Sequence, residues 1–107
     1  MKLVMTIVSN QDAPNVLDAI AQARFFATKV STTGQFLVDG HTAILIGTED
    51  DKVQQVYSII EDNVKKRVVK KQNVTSTVNG SLLNEAVNVE EYGAVAFTIN
   101  VEEFKKI

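Results

Sequence analysis

The sequence predicts one α+β domain ordered strand, helix, strand, strand, helix, strand, with an extended segment inserted before the last strand. Three observations predict it. Short stretches alternate apolar residues with period two, two other stretches repeat them at helical spacing, and glycine, proline or clustered acids mark the changes of pattern. At 107 residues the chain has single-domain length, and folding at this size removes roughly 60 to 70% of the extended chain's surface from water. Strand-helix-strand units in succession, with right-handed crossovers, are most simply satisfied by a ferredoxin-like βαββαβ sandwich, a sheet with both helices on one face.

Each element has its own signal. Lys2 to Val8 sets Leu3, Met5 and Ile7 against Val4, Thr6 and Val8, as a buried strand does. Asn10 to Asp12 interrupts it, and Pro14 suits the first turn of a helix capped at Asp12 or Ala13, whose apolar face is Val16, Leu17, Ile20 and Ala23. A second strand is expected over Phe26 to Thr32, with Phe26, Thr28 and Val30 on one face, and a third over Thr42 to Gly47. Gly34 and Gly40 bracket the turn between them. Glu49, Asp50 and Asp51 offer a cap and first-turn acids to a second helix with the stripe Val53, Val56, Tyr57, Ile60 and Val64, and Lys65, Lys66 and Arg67 complement its dipole. Residues 68–92 carry no dominant period and are expected to form an extended insertion or loop within the single domain 1–107. The last strand is "AVAFTINV", in which Val95, Phe97, Ile99 and Val101 alternate with smaller or polar residues.

The strands are apolar or small on both faces, yet two helices cover only one. A second cover is therefore expected, either another subunit or the insertion. The net charge of −2 and the 45% hydrophobic content are those of a globular protein rather than of a disordered or nucleic-acid-coating one. The basic run "KKRVVKK" reads as a helix end followed by a solvated strand, because no aromatic residues interleave with it. No run approaches membrane-spanning length, and the short apolar start lacks a cleavage-like site, so neither nucleic acid nor membrane is expected as a partner and the expected location is the cytoplasm.

Candidate chemistry is sparse. With no cysteine and a single histidine, His41, the chain offers no thiolate site and no evident metal set. No serine, histidine and acid arrangement or carboxylate pair suggests an enzyme. Thr28, Thr32, Thr33 and Gly34 supply hydroxyls and backbone amides that can hold phosphate oxygens or a base edge, although threonine also favours strands and glycine turns. Phe36 and Leu37 can cover a planar ligand or pack on a neighbouring subunit.

The stretch "ATKVSTTGQFLVDGHTAILIGTEDDKV" resembles the signature of the PII-like cyclic di-AMP receptors, relatives of the nitrogen-regulatory PII signalling proteins. That signature runs A-T-K-L-A-T-T-G-G-F-L, then a G-N-T-T turn and an I-G-x-E-D helix start. The similarity begins at "MKLVMTIV", continues through the second helix and resumes at "YGAVAFTINVEEF". The resemblance implies a ferredoxin-like homotrimer, cyclic di-AMP in clefts between subunits, no cofactor besides that ligand, and exposed loops that signal to a downstream protein. It implies ligand contacts from the backbone at Ala27 and from Thr28, Phe36, Leu37, Gly47 and Phe97. Four positions depart from the pattern: Phe26 stands where the family has arginine, Gln35 replaces a glycine, His41 an asparagine, and Lys106 a common glutamine. Losing a charged hydrogen bond from the arginine costs about 1.5 to 3 kcal/mol, which stacking by Phe26 can partly offset. Arg24, two residues earlier, shares the face of Phe26 and Thr28 if the strand starts that early, and Gly34, His41 and Lys106 complete the candidate contacts. The alternative is a trimeric interaction or structural homologue that has lost the nucleotide.

Overall fold

A computed structural model describes residues 1–30, 40–65 and 92–107, in which a four-stranded sheet carries two helices on one face. The elements are β1 (Lys2–Ser9), α1 (Ala13–Gln22), β2 (Phe26–Val30), β3 (His41–Thr48), a 3₁₀ turn (Asp50–Lys52), α2 (Val53–Asp62) and β4 (Ala94–Asn100). Every neighbouring pair is antiparallel and the spatial order is β2-β3-β1-β4. This arrangement is compatible with the ferredoxin-like expectation. Of the expected insertion at 68–92, only Tyr92 falls among the described residues.

Period-two alternation decides which side chains meet the helices. Val4, Val8, Ile44 and Ile46 point to one face and are fully buried against Val16 and Ile20 of α1 and Val56 and Ile60 of α2. Burying side chains of this size stabilises by about 1.5 to 3 kcal/mol each relative to exposure, which makes this layer the principal core. Thr6, the polar member of the same strand face, is fully buried and donates its hydroxyl to the Val95 carbonyl at 2.9 Å. The bond ties β1 to the edge strand β4 and leaves the hydroxyl satisfied.

The helix ends differ from the simple expectation. Asp12 stands at the N-cap of α1, but its carboxylate does not cap that helix; it accepts the Lys65 amide at 3.2 Å and so joins the start of α1 to the chain leaving α2. The three acids precede α2 by a turn, since Asp50 and Asp51 lie in the 3₁₀ segment and the helix proper begins at Val53. Asp50 pairs with the Met1 ammonium at 2.9 Å, and that hydrogen bond holds its carboxyl below the usual range. At the other end α2 stops at Asp62, so Lys65 lies beyond the last turn, while Lys66 and Arg67 are outside the described residues. Asn63 satisfies one of the terminal carbonyls, its side-chain amide donating to the Ile59 carbonyl at 2.8 Å.

Arg24 requires a further correction. It does not share a strand face with Phe26 and Thr28, because it adopts a left-handed backbone with φ of 71° before β2 begins. Its amide donates to the Ala21 carbonyl at 2.9 Å and the Phe25 amide to the Ile20 carbonyl at 3.2 Å, the paired bonds of a Schellman helix end. Phe25 packs on the core that contains Ile20, supplying the apolar contact that accompanies this motif. An L-residue in this conformation is strained by about 1 to 2 kcal/mol, partly balanced by the greater unfolded-chain freedom of glycine. Arg24→Gly is therefore expected to stabilise the protein by about 1 kcal/mol, read as a higher urea midpoint at unchanged slope. A lower midpoint would show that the arginine side chain makes a compensating contact.

Candidate functional site

The sheet face turned away from the helices is organised in cross-strand rows. One row joins Phe26, Gly47, Leu3 and Ile99; the next joins Thr28, Leu45, Met5 and Phe97; the third joins Val30, Ala43, Ile7 and Val95. Ile7 and Ala43 are buried in a small second cluster with Val30 and Val95 packed against it. Exposure increases toward the first row: Phe97 is 40% exposed, Ile99 48% and Phe26 77%. Large apolar side chains thus collect at the end of the sheet where β1 begins, and covering each would add about 1.5 to 3 kcal/mol.

Four of the expected contact residues meet on this face. Phe26 and Gly47 are direct partners in the first row, while Thr28 and Phe97 belong to the second. Gly47 leaves open space, since a Cβ built on it would meet nothing within 4 Å. A planar group lying there would have the Phe26 ring on one side, the Leu3 side chain on the other, and the Thr28 hydroxyl within the adjoining row as a polar contact. Ala27 packs its side chain with the helix-side core, leaving its backbone as the part available to a ligand.

Lys106 joins the group from the chain end. The Val101 amide donates to the Met1 carbonyl at 3.1 Å just beyond β4, and Lys106 then places its ammonium 5.6 Å from the centre of the Phe26 ring on β2. Those strands form opposite edges of the sheet, three interstrand steps or about 14 Å apart. The terminal segment and the long Lys106 side chain together cover that distance.

His41 is placed differently. Gly40 makes the turn that the sequence suggests, with φ of 86°, and His41 is the first residue of β3 and pairs with Ser9 at the opposite end of the sheet, about 20 Å along the strand from Gly47. Arg24 lies in the helix-ending turn described above. Gly34, Phe36 and Leu37, like Gln35, Thr32 and Thr33, lie outside the described residues. Sequence reasoning did not nominate Leu3, Met5, Leu45 or Ile99 for the site, although their alternation was the available signal. It also missed a groove of about 530 Å³ between α2 and β4, lined in part by Tyr57 of α2, by Val64 just past it and by Tyr92 just before β4. Among the described residues no three histidine or acidic residues gather as a metal set, and no helix is long and apolar enough to cross a membrane.

Two comparisons bear on this geometry. A family model described as a cyclic-di-AMP receptor matches residues 1–107. A crystal structure of a functionally unknown protein from Pediococcus pentosaceus is similar, with TM-score 0.68 and 27% sequence identity over 99% of this chain and 96% of that one.

The exposed rows generate a prediction about self-association. Wild-type protein should sediment as an assembly at micromolar concentration, whereas Leu45→Glu, which puts a charge at the centre of the apolar face, should sediment as a monomer with an unchanged far-UV spectrum. A monomeric wild type would mean that this face is not covered by another copy.

Proposed function

We propose, from the premise that this chain belongs to the cyclic-di-AMP receptor family, that it is a non-enzymatic, PII-like signalling protein that binds cyclic di-AMP in clefts between the subunits of a homotrimer. Binding is relayed through exposed loops to a downstream protein. The observation that carries this reading is the meeting of Phe26, Thr28, Gly47 and Phe97 on the apolar face that the helices leave uncovered. A second and third copy can cover that face, and the space above Gly47 at its exposed end can admit an adenine.

The chemistry asked of such a site is recognition alone. An adenine needs an apolar slot and a few oriented polar groups, which Phe26, Thr28 and the Ala27 backbone can provide. A cyclic dinucleotide also presents two bases and two phosphates around one ring. Contacts from more than one subunit suit that shape, and ligand bound across a boundary favours the assembled form over the free subunits. The relay then consists of differential affinity: a loop arrangement that binds the nucleotide better becomes more populated when it is present.

Calorimetry with cyclic di-AMP on the purified protein tests the assignment directly, and Gly47→Val tests the location. Valine suits a strand and meets no neighbour at its Cβ, so melting without ligand should be unchanged or slightly raised. Its branches fill the space above the row, so affinity should fall by about tenfold or more through steric exclusion. Equal affinity in the two proteins would remove Gly47 from the site, and no binding by wild type would favour a trimeric homologue that has lost the nucleotide.

A further inference from the structure

We infer that Phe26 and Leu3 are the two walls of a slot for one base, with Gly47 as its floor, and that this slot selects the two-ring purine over the one-ring pyrimidine; this rests on the cyclic di-AMP reading and assigns how the base is recognised. The first observation is the glycine itself. A glycine inside a strand weakens it, and a positive φ or a backbone pressed against it is the usual structural reason for keeping one. Neither applies at Gly47, because the positive-φ glycines among the described residues are Gly40 and Gly93, and a Cβ built on Gly47 meets nothing within 4 Å. What the missing side chain supplies is space on the uncovered face.

The strand register gives that space its walls. Gly47 pairs with Phe26 on one side and Leu3 on the other, and neither side chain leans into the gap, since both stay more than 4 Å from the built Cβ. Two interstrand steps set the walls about 9.6 Å apart. At about 3.5 Å per contact, one flat ring held between two side chains needs about 7 Å and two stacked rings need about 10.5 Å. The gap therefore holds one base, standing edge-on to the sheet. Ile99 backs Leu3 in the same row, and Leu45, two residues before Gly47 on β3, closes the slot toward the row in which Thr28 offers its hydroxyl to the base edge. Phe26 is 77% exposed, and its contact with the exposed Lys106 ammonium at 5.6 Å is weaker than stacking by a base. Walls and floor are all uncharged, so what they discriminate is the flat area of the ring.

Isothermal titration of the full chain with cyclic di-AMP and with cyclic di-UMP provides the test, because the two ligands share the phosphodiester ring and its charge and differ in the base. Wild type should bind cyclic di-AMP about tenfold or more tightly than cyclic di-UMP. Leu3→Ala and Phe26→Ala each remove one wall, and each should weaken cyclic di-AMP by about tenfold and bring the ratio of the two affinities toward one. Leu3→Phe gives the slot a second aromatic wall and should raise the ratio by about threefold or more, a gain that misfolding does not produce. If wild type binds cyclic di-AMP and the Leu3 variants keep its affinity and its preference, or if wild type binds both ligands equally, the slot is overturned while the function stands. If wild type binds neither, the functional reading itself fails and the inference with it.

Discussion

A sheet with apolar side chains on both faces and only two helices to cover them is the constraint on which the rest of this molecule depends. The helices bury Val4, Val8, Ile44 and Ile46 completely, which satisfies one face and fixes the fold. The other face retains ordered rows of apolar residues whose exposure is greatest at Phe26 and Ile99. Burial there is worth several kcal/mol in total. Such a surface is the natural place for association, and it is also where the candidate ligand contacts fall. Assembly and ligand binding can therefore share the same uncovered area, which is why we propose a site between copies rather than inside one.

The polar interactions support this division. Thr6 points into the helix-covered side and finds the Val95 carbonyl, Tyr57 meets the Thr98 hydroxyl, and Asp12 receives the Lys65 amide. These contacts fasten β4, α1 and the exit from α2 to one another. Opposite them, Thr28 offers a hydroxyl amid Leu45, Met5 and Phe97. A hydroxyl placed among apolar neighbours adds direction to a surface that would otherwise bind without orientation.

Much of the candidate site was legible because strands alternate with a strict period. Parity puts Phe26 and Thr28 on one face of their strand, the family resemblance nominated Gly47 and Phe97, and the strand register then brings all four to a common face. Arg24 broke the argument because parity ends where the strand ends. Its left-handed turn is set by how Phe25 packs under the close of α1, and an arginine gives no sign of that conformation in the way a glycine would. His41 lies apart from this group within one subunit: Gly40 makes the turn its sequence suggests, with φ of 86°, and His41 then opens β3 by pairing with Ser9 at the far end of the sheet. Asn63 closes α2 through a hydrogen bond to Ile59, a contact the run of cations after it did not announce, and Lys66 and Arg67 of that run lie outside the described residues.

The sequence by itself determined the order of elements, the two helical stripes and the two-sided character of the strands, and its long threonine and glycine signature carried the resemblance to the receptor family. These are properties of residues close together in the chain, where helical and extended periods dictate which side chains share a face. Tertiary structure alone decided the strand order, the rows that join Phe26 to Ile99, the change of partner at Asp12 and the meeting of Lys106 with Phe26. Each brings together groups remote in sequence, and their meeting depends on closing the chain around a shared core, which no local period encodes.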